Sequence, residues 1–161
     1  MTSTADPDDL LRLEHQVCFA LYSASRAFGG VYREALRDLE LTYPQYLAML
    51  TLWEHGELPV KRMGELLRLD SGTLSPLLKR LEAAGLVQRA RSTEDERSVL
   101  VRPTSAGAAL RARATEVPPR IAAATGLEPA GLRSLHTMLL ELTERLDSAA
   151  DLRDRCGTEQ E

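Results

Sequence analysis

Leucines at 74, 77, 78 and 81 recur at i, i+3, i+4 and i+7, while Ser71, Gly72, Thr73, Ser75, Pro76, Lys79 and Arg80 fill the positions between them. That spacing predicts one helix with a single apolar stripe turned to a core and a polar face turned outward. Asp70 is placed to cap its start and Gly85 to end it. A shorter stripe, Val60, Met63, Leu66 and Leu67, precedes it across the turn Leu67-Arg68-Leu69. After Gly85 the pattern shortens to strands, Leu86-Val87-Gln88-Arg89 and Ser98-Val99-Leu100-Val101, joined by a polar loop from Arg91 to Arg97 that is too long for a tight turn. Two helices about a short turn, followed by a two-stranded wing, make a winged helix-turn-helix. In that arrangement the polar helix face enters a major groove, and the wing, with Arg91 at its base, Asp95 in its loop and Arg97 at its tip, reaches a minor groove.

The flanks carry longer patterns. Leu10, Leu13, Val17, Leu21, Ala24, Phe28, Val31, Ala35 and Leu39 recur every three or four residues, which predicts a helix of roughly 30 residues, far longer than a typical globular helix. Gly29-Gly30 inside it costs about 2 kcal/mol relative to alanine and marks a kink. Thr42 and Gln45 have capping-box spacing, so a helix starts at Tyr43 with Pro44 in its first turn. Another helix begins near Thr104 and is cut at Val117-Pro118-Pro119. Glu128-Pro129 opens the last one, whose Leu132, Leu135, Leu139, Leu142 and Leu146 form a heptad-like stripe. Helices so long need a partner. The economical architecture is mainly α with a small β-wing: residues 43–103 form the DNA-binding region, and residues 10–40 and 104–150 interlock across a two-fold axis into a homodimer that spaces two recognition helices one turn of DNA apart. Residues 1–9 and 151–161 read as flexible tails.

Charge sharpens this division. Residues 59–104 hold nine cations against six anions, a net +3 in a chain whose total is −4. Basic charge therefore gathers where DNA would lie, although three excess charges alone would suit an ordinary solvated surface. At 161 residues and 43% hydrophobic content the chain can bury a core. An acidic start and the lack of any apolar run near ~18 residues point to a cytoplasmic chain with no membrane segment. The two cysteines, Cys18 and Cys156, are too few for a disulfide framework. His15, His55 and His136 share no ligand spacing, and no phosphate loop or hydrolytic triad appears, so neither metal nor cofactor is expected.

The segments His15-Gln16-Val17-Cys18-Phe19-Ala20-Leu21-Tyr22, Leu41-Thr42-Tyr43-Pro44-Gln45-Tyr46-Leu47, Leu52-Trp53-Glu54-His55, Leu69 to Glu82 and Glu94-Asp95-Glu96-Arg97-Ser98-Val99-Leu100 resemble the organic-hydroperoxide-sensing branch of the MarR family, over roughly residues 10–145. The wing motif speaks for the family; a cysteine in that first-helix context, together with Thr-Tyr-Pro-Gln-Tyr, speaks for the branch. The resemblance implies a dimeric repressor that binds an inverted-repeat operator as double-stranded DNA, releases it when a cysteine is oxidised by an organic hydroperoxide, and so derepresses a peroxide-removing gene. It assigns Cys18 as the sensing thiol, and Tyr32 and Tyr43 as tyrosines that contact it from the other subunit, with Tyr22, Tyr46 and Trp53 as candidate pocket walls. Cys156 would be a second thiol, though branch members that use one carry it earlier. A low-molecular-weight thiol is the alternative partner for an oxidised Cys18.

Spacing agrees with contact across chains. Cys18, Tyr22, Ser25, Gly29 and Tyr32 share one helix face, yet 14 residues separate Cys18 from Tyr32 by ~21 Å along the axis. A mid-helix cysteine would also need donors such as tyrosine hydroxyls to stabilise its thiolate. Read from the residues alone, a cysteine such as Cys18 beside an apolar stripe is more often a small buried hydrophobe than a sensor. Two other functions stay open: a MarR-type repressor released by a small lipophilic or phenolic ligand with Cys18 structural, and a thiol peroxidase with Cys18 as nucleophile. The peroxidase reading lacks an evident arginine or histidine beside the thiol.

Overall fold

The computed structural model describes residues 7–92 and 97–157, with side chains for 9–92 and 97–150. Helix α1 (Pro7–Leu10) is followed by a 3-10 turn at Leu13–His15, α2 (Val17–Ala35), a second 3-10 turn at Arg37–Leu39, α3 (Tyr43–His55), β1 (Leu58–Pro59), α4 (Val60–Leu67), α5 (Ser71–Ala83), β2 (Val87–Arg91), β3 (Val99–Pro103), α6 (Ser105–Ala114), α7 (Val117–Thr125) and α8 (Pro129–Gly157). Two compact units divide the chain at Ile121 and Ala122.

The winged helix forms as its pattern predicts. Asp70 accepts the Thr73 backbone N–H at 2.8 Å, capping α5, and Leu74, Leu77, Leu78 and Leu81 are buried. Gly85, with φ +72°, turns the chain out of the helix into β2. The sheet is antiparallel in the order β1-β3-β2, with Val87 opposite Pro103 and Arg91 opposite Val99. The two-residue β1, too short to carry a period, adds a third strand through Leu58 opposite Val101. Met49 and Leu52 of α3, Met63 of α4, Leu78 of α5 and Val101 of β3 join the core of this unit.

The first flank differs from its pattern. The 30-residue helix expected from Leu10 to Leu39 is divided into α1, two 3-10 turns and a 19-residue α2. Arg12 and Gln16 take extended backbone conformations, and the Gln16 amide donates to the carbonyls of Leu10 (2.6 Å) and Arg12 (3.1 Å), which holds the break. Periodicity survives such a break because a turn can preserve the apolar phase. Gly29 and Gly30, expected at a kink, lie inside the unbroken α2. The helix that begins at Ser105 stops at Ala114, just ahead of Val117-Pro118-Pro119 as expected, and the two prolines then sit in the first turn of α7, where a missing amide hydrogen costs nothing. In the second unit α8 runs from Pro129 past the expected stripe to Gly157, and Met138, Leu140 and Leu146 on it are exposed. Among the described residues no helix is long and apolar enough to cross a membrane.

Candidate nucleic-acid interface and thiol site

The outer face of α5 is built by subtraction, because every leucine of the helix is turned into the core. Ser71, Gly72, Thr73, Ser75, Pro76, Lys79 and Arg80 are left exposed on it. The Thr73 hydroxyl donates to the Asp70 carboxylate at 3.1 Å, and these bonds to Thr73 hold that carboxyl below its usual range. Thr73 therefore serves the cap as well as the surface. Further along, Glu82 takes two bonds from the Arg89 guanidinium, at 3.0 and 2.6 Å, and one from its backbone N–H at 3.2 Å, so α5 is tied to β2 and its carboxyl is held low. Arg62 is engaged by Glu65 at 2.9 Å. Among the described residues no carboxylate pairs with Lys79, Arg80 or Arg91, which leaves their charge available to a polyanion. At the wing, the Ser92 N–H donates to Ser98 at 2.8 Å and closes the ladder. Arg97 is exposed on the loop side of that closure, at the end of the wing far from Gly85. Asp95 lies outside the described residues.

Cys18 is exposed and stands in the first turn of α2, not in mid-helix as the longer pattern implied. Fourteen residues on, near the end of the same continuous helix, Tyr32 stacks on Tyr43 with ring centroids 4.3 Å apart. Tyr46 lies 6.2 Å from Tyr32 and meets Trp53 edge-on at 6.4 Å. Burial, followed by the neighbouring Tyr43 and Tyr46, pushes the Tyr32 hydroxyl up to about 12, and burial likewise raises that of Tyr46. Tyr32 is therefore a hydrogen-bond donor throughout the neutral range. Four of the five aromatic candidates thus form one row within a protomer. Tyr22 is apart from it, more than half exposed, and accepts a bond from Arg26 at 3.0 Å while the guanidinium also faces its ring. The sequence reading missed Arg26, although its i+4 spacing from Tyr22 was a visible signal. Cys156 falls in the helical backbone of α8, beyond the described side chains. No group of three or more metal-ligating side chains occurs among the described residues.

The model of the MarR family matches residues 41–99, from the residue before the α3 cap to the first residue of β3. The organic hydroperoxide resistance transcriptional regulator of Bacillus subtilis is 49% identical over 138 residues, which is 86% of this chain and 94% of the relative. Among solved structures, reduced AbfR bound to DNA, a protein of Staphylococcus epidermidis, is 33% identical with a TM-score of 0.73 over 88% of this chain and 96% of that one. A disulfide-formed AbfR matches at 32% identity and a TM-score of 0.60, over 89% and 96%. The chain belongs to the MarR family and is a transcriptional regulator of the winged-helix class.

Proposed function

We propose that this regulator is a homodimeric, cytoplasmic repressor that holds an inverted-repeat operator while Cys18 is reduced and lets it go when an organic hydroperoxide oxidises that thiol. The observation that carries the reading is the placement of the thiol and the tyrosine pair at opposite ends of one helix. Cys18 opens α2 and Tyr32 nearly closes it, ~21 Å away along the axis, so the two meet only if two copies of α2 cross antiparallel. The exposed apolar side chains of the first flank, Leu10, Leu13, Val17 and Leu21 among them, give such a crossing a surface to bury. The 49% identical relative is an organic hydroperoxide resistance regulator, and AbfR is known in reduced and disulfide forms.

The chemistry follows from the thiolate. Its sulfur attacks the terminal oxygen of ROOH, an S–O bond forms as the O–O bond breaks, and the departing alkoxide takes a proton to leave as ROH. Sulfur loses two electrons and the peroxide gains them. The sulfenic acid then condenses with a low-molecular-weight thiol or a second cysteine, releasing water and forming a disulfide whose bulk a packed helix crossing cannot hold. Repacking rotates the two DNA-binding lobes, and recognition helices out of register with successive major grooves lose affinity.

The test uses an operator selected from random duplex DNA by the reduced protein. Addition of tert-butyl hydroperoxide is expected to release it and dithiothreitol to restore binding, while benzoic acid at the same concentration leaves the complex intact. Release by benzoic acid without thiol loss would replace the redox reading with the small-ligand one.

A further inference from the structure

Trp53 is the only tryptophan of the chain, and its side chain is held from two directions. On one side it joins the aromatic row through Tyr46, Tyr32 and Tyr43. On the other its indole N–H donates at 2.8 Å to the Gly107 carbonyl on α6. Gly107 marks the closest approach of α6 to the chain leaving the recognition helix: a Cβ there would fall 2.0 Å from the Leu86 carbonyl oxygen and 3.2 Å from Met49 Cε. Thr104 closes the joint, its N–H donating to Leu86 at 3.0 Å, its hydroxyl donating to Gly85 at 2.6 Å and its Oγ1 accepting from the Gly107 N–H at 3.1 Å. Gly85 and Leu86 are the residues that lead from α5 into β2. One indole therefore stands between the tyrosine pair and the root of the wing.

We propose that Trp53 is a positioning residue of the response, passing a displacement of Tyr32 and Tyr43 to the α5–β2 joint through its bond to Gly107. The inference rests on the thiol-switch reading. Close-packed rings cannot shift one at a time, so a move of Tyr32 is felt at Tyr46 and Trp53. Burial would be served equally by phenylalanine, whereas only the indole N–H holds the α6 backbone. Because Gly107 touches Leu86 without an intervening side chain, a shift of α6 there moves the exit of the recognition helix directly.

The experiment compares the full-length protein with Trp53→Phe, which keeps a ring against Tyr46 and removes the donor. Operator affinity is measured before and after tert-butyl hydroperoxide, with free thiol titrated in the same samples. The two reduced proteins are expected to bind within about threefold of each other and to lose thiol at the same rate. Oxidation then weakens the wild type by a factor in the range typical of coupled sites, about 5–150-fold, and W53F by less than a third of that factor. Full release by W53F overturns the coupling and leaves the thiol switch standing; no release by the wild type overturns both. Wild-type emission gives a reading that does not depend on the variant folding. Trp53 fluorescence is expected to change at the rate of operator release, and a spectrum untouched by oxidation overturns the proposal.

Discussion

Gln16 decides where α2 begins. Its backbone is extended and its amide bonds two carbonyls of the preceding turn, so Cys18 is delivered to the first helical turn, where backbone amide hydrogens lack intrahelical acceptors. In the proposed antiparallel crossing, the tyrosine pair of the second copy faces the Cys18 sulfur. Tyr32→Phe and Tyr43→Phe each remove one hydroxyl donor to a charged sulfur, and each should slow alkylation and peroxide oxidation of Cys18 by about tenfold while operator binding persists. Since the Tyr32 hydroxyl ionises only near 12, it stays protonated and able to donate throughout about pH 6 to 9, the range in which stopped-flow thiol titration follows the slowing. Unchanged oxidation rates in both variants would remove the tyrosines from the site. At this scale the sequence was partly legible: the 14-residue separation of Cys18 from Tyr32 excludes contact within one helix by arithmetic. The stacking of Tyr32 on Tyr43 was not, because it depends on how the turn at Arg37–Leu39 and the left-handed Glu40, φ 54°, bring α3 back against α2.

Helix α5 shows how much of an element its own residues specify. The cap at Asp70, the four buried leucines and the stop at Gly85 are local signals, and all were readable from spacing. Asp70→Ala leaves the Thr73 amide without its acceptor and should lower the melting temperature by about 2–4 °C at pH 7. Because folding depresses the Asp70 carboxyl below 3.8, the cap's electrostatic share is present above that pH and is lost as pH falls through the lower folded value. Calorimetry of wild type and variant should therefore show their difference shrinking only below pH 3.8. A difference that is the same at pH 3 and pH 7 would remove the charge from the cap. The first flank was less legible for a physical reason: apolar recurrence at three and four residues reports which side faces a neighbour, and it continues through a 3-10 turn in phase. Pro118-Pro119 reads as a break from upstream and as a helix start from downstream, and the chain uses both, ending α6 at Ala114 and opening α7 at Val117.

At the scale of the molecule, charge and apolar surface are separated along the chain. Lys79 and Arg80 are exposed on α5 and Arg97 on the wing, while exposed Leu10, Leu13 and Val17 belong to the first flank and Met138, Leu140 and Leu146 to α8. The same separation was visible as a +3 segment inside an acidic chain, although no count could tell which cations are engaged by Glu65 and Glu82. Arg97→Ala should weaken operator binding by about 1–3 kcal/mol, whereas Lys79→Ala should weaken all duplexes alike and reduce the slope of log affinity against log salt by about 1. Fluorescence anisotropy over a salt series distinguishes them, and unchanged affinity for Arg97→Ala would exclude the wing from the interface. Operator binding by Cys18→Ser decides whether oxidation of one sulfur causes release. Serine keeps nearly the size of cysteine and has no thiol redox chemistry, so the variant should bind as the wild type does and keep its operator under tert-butyl hydroperoxide that releases the wild type. Dissociation of the serine variant on peroxide treatment would rule out Cys18 as the sensor.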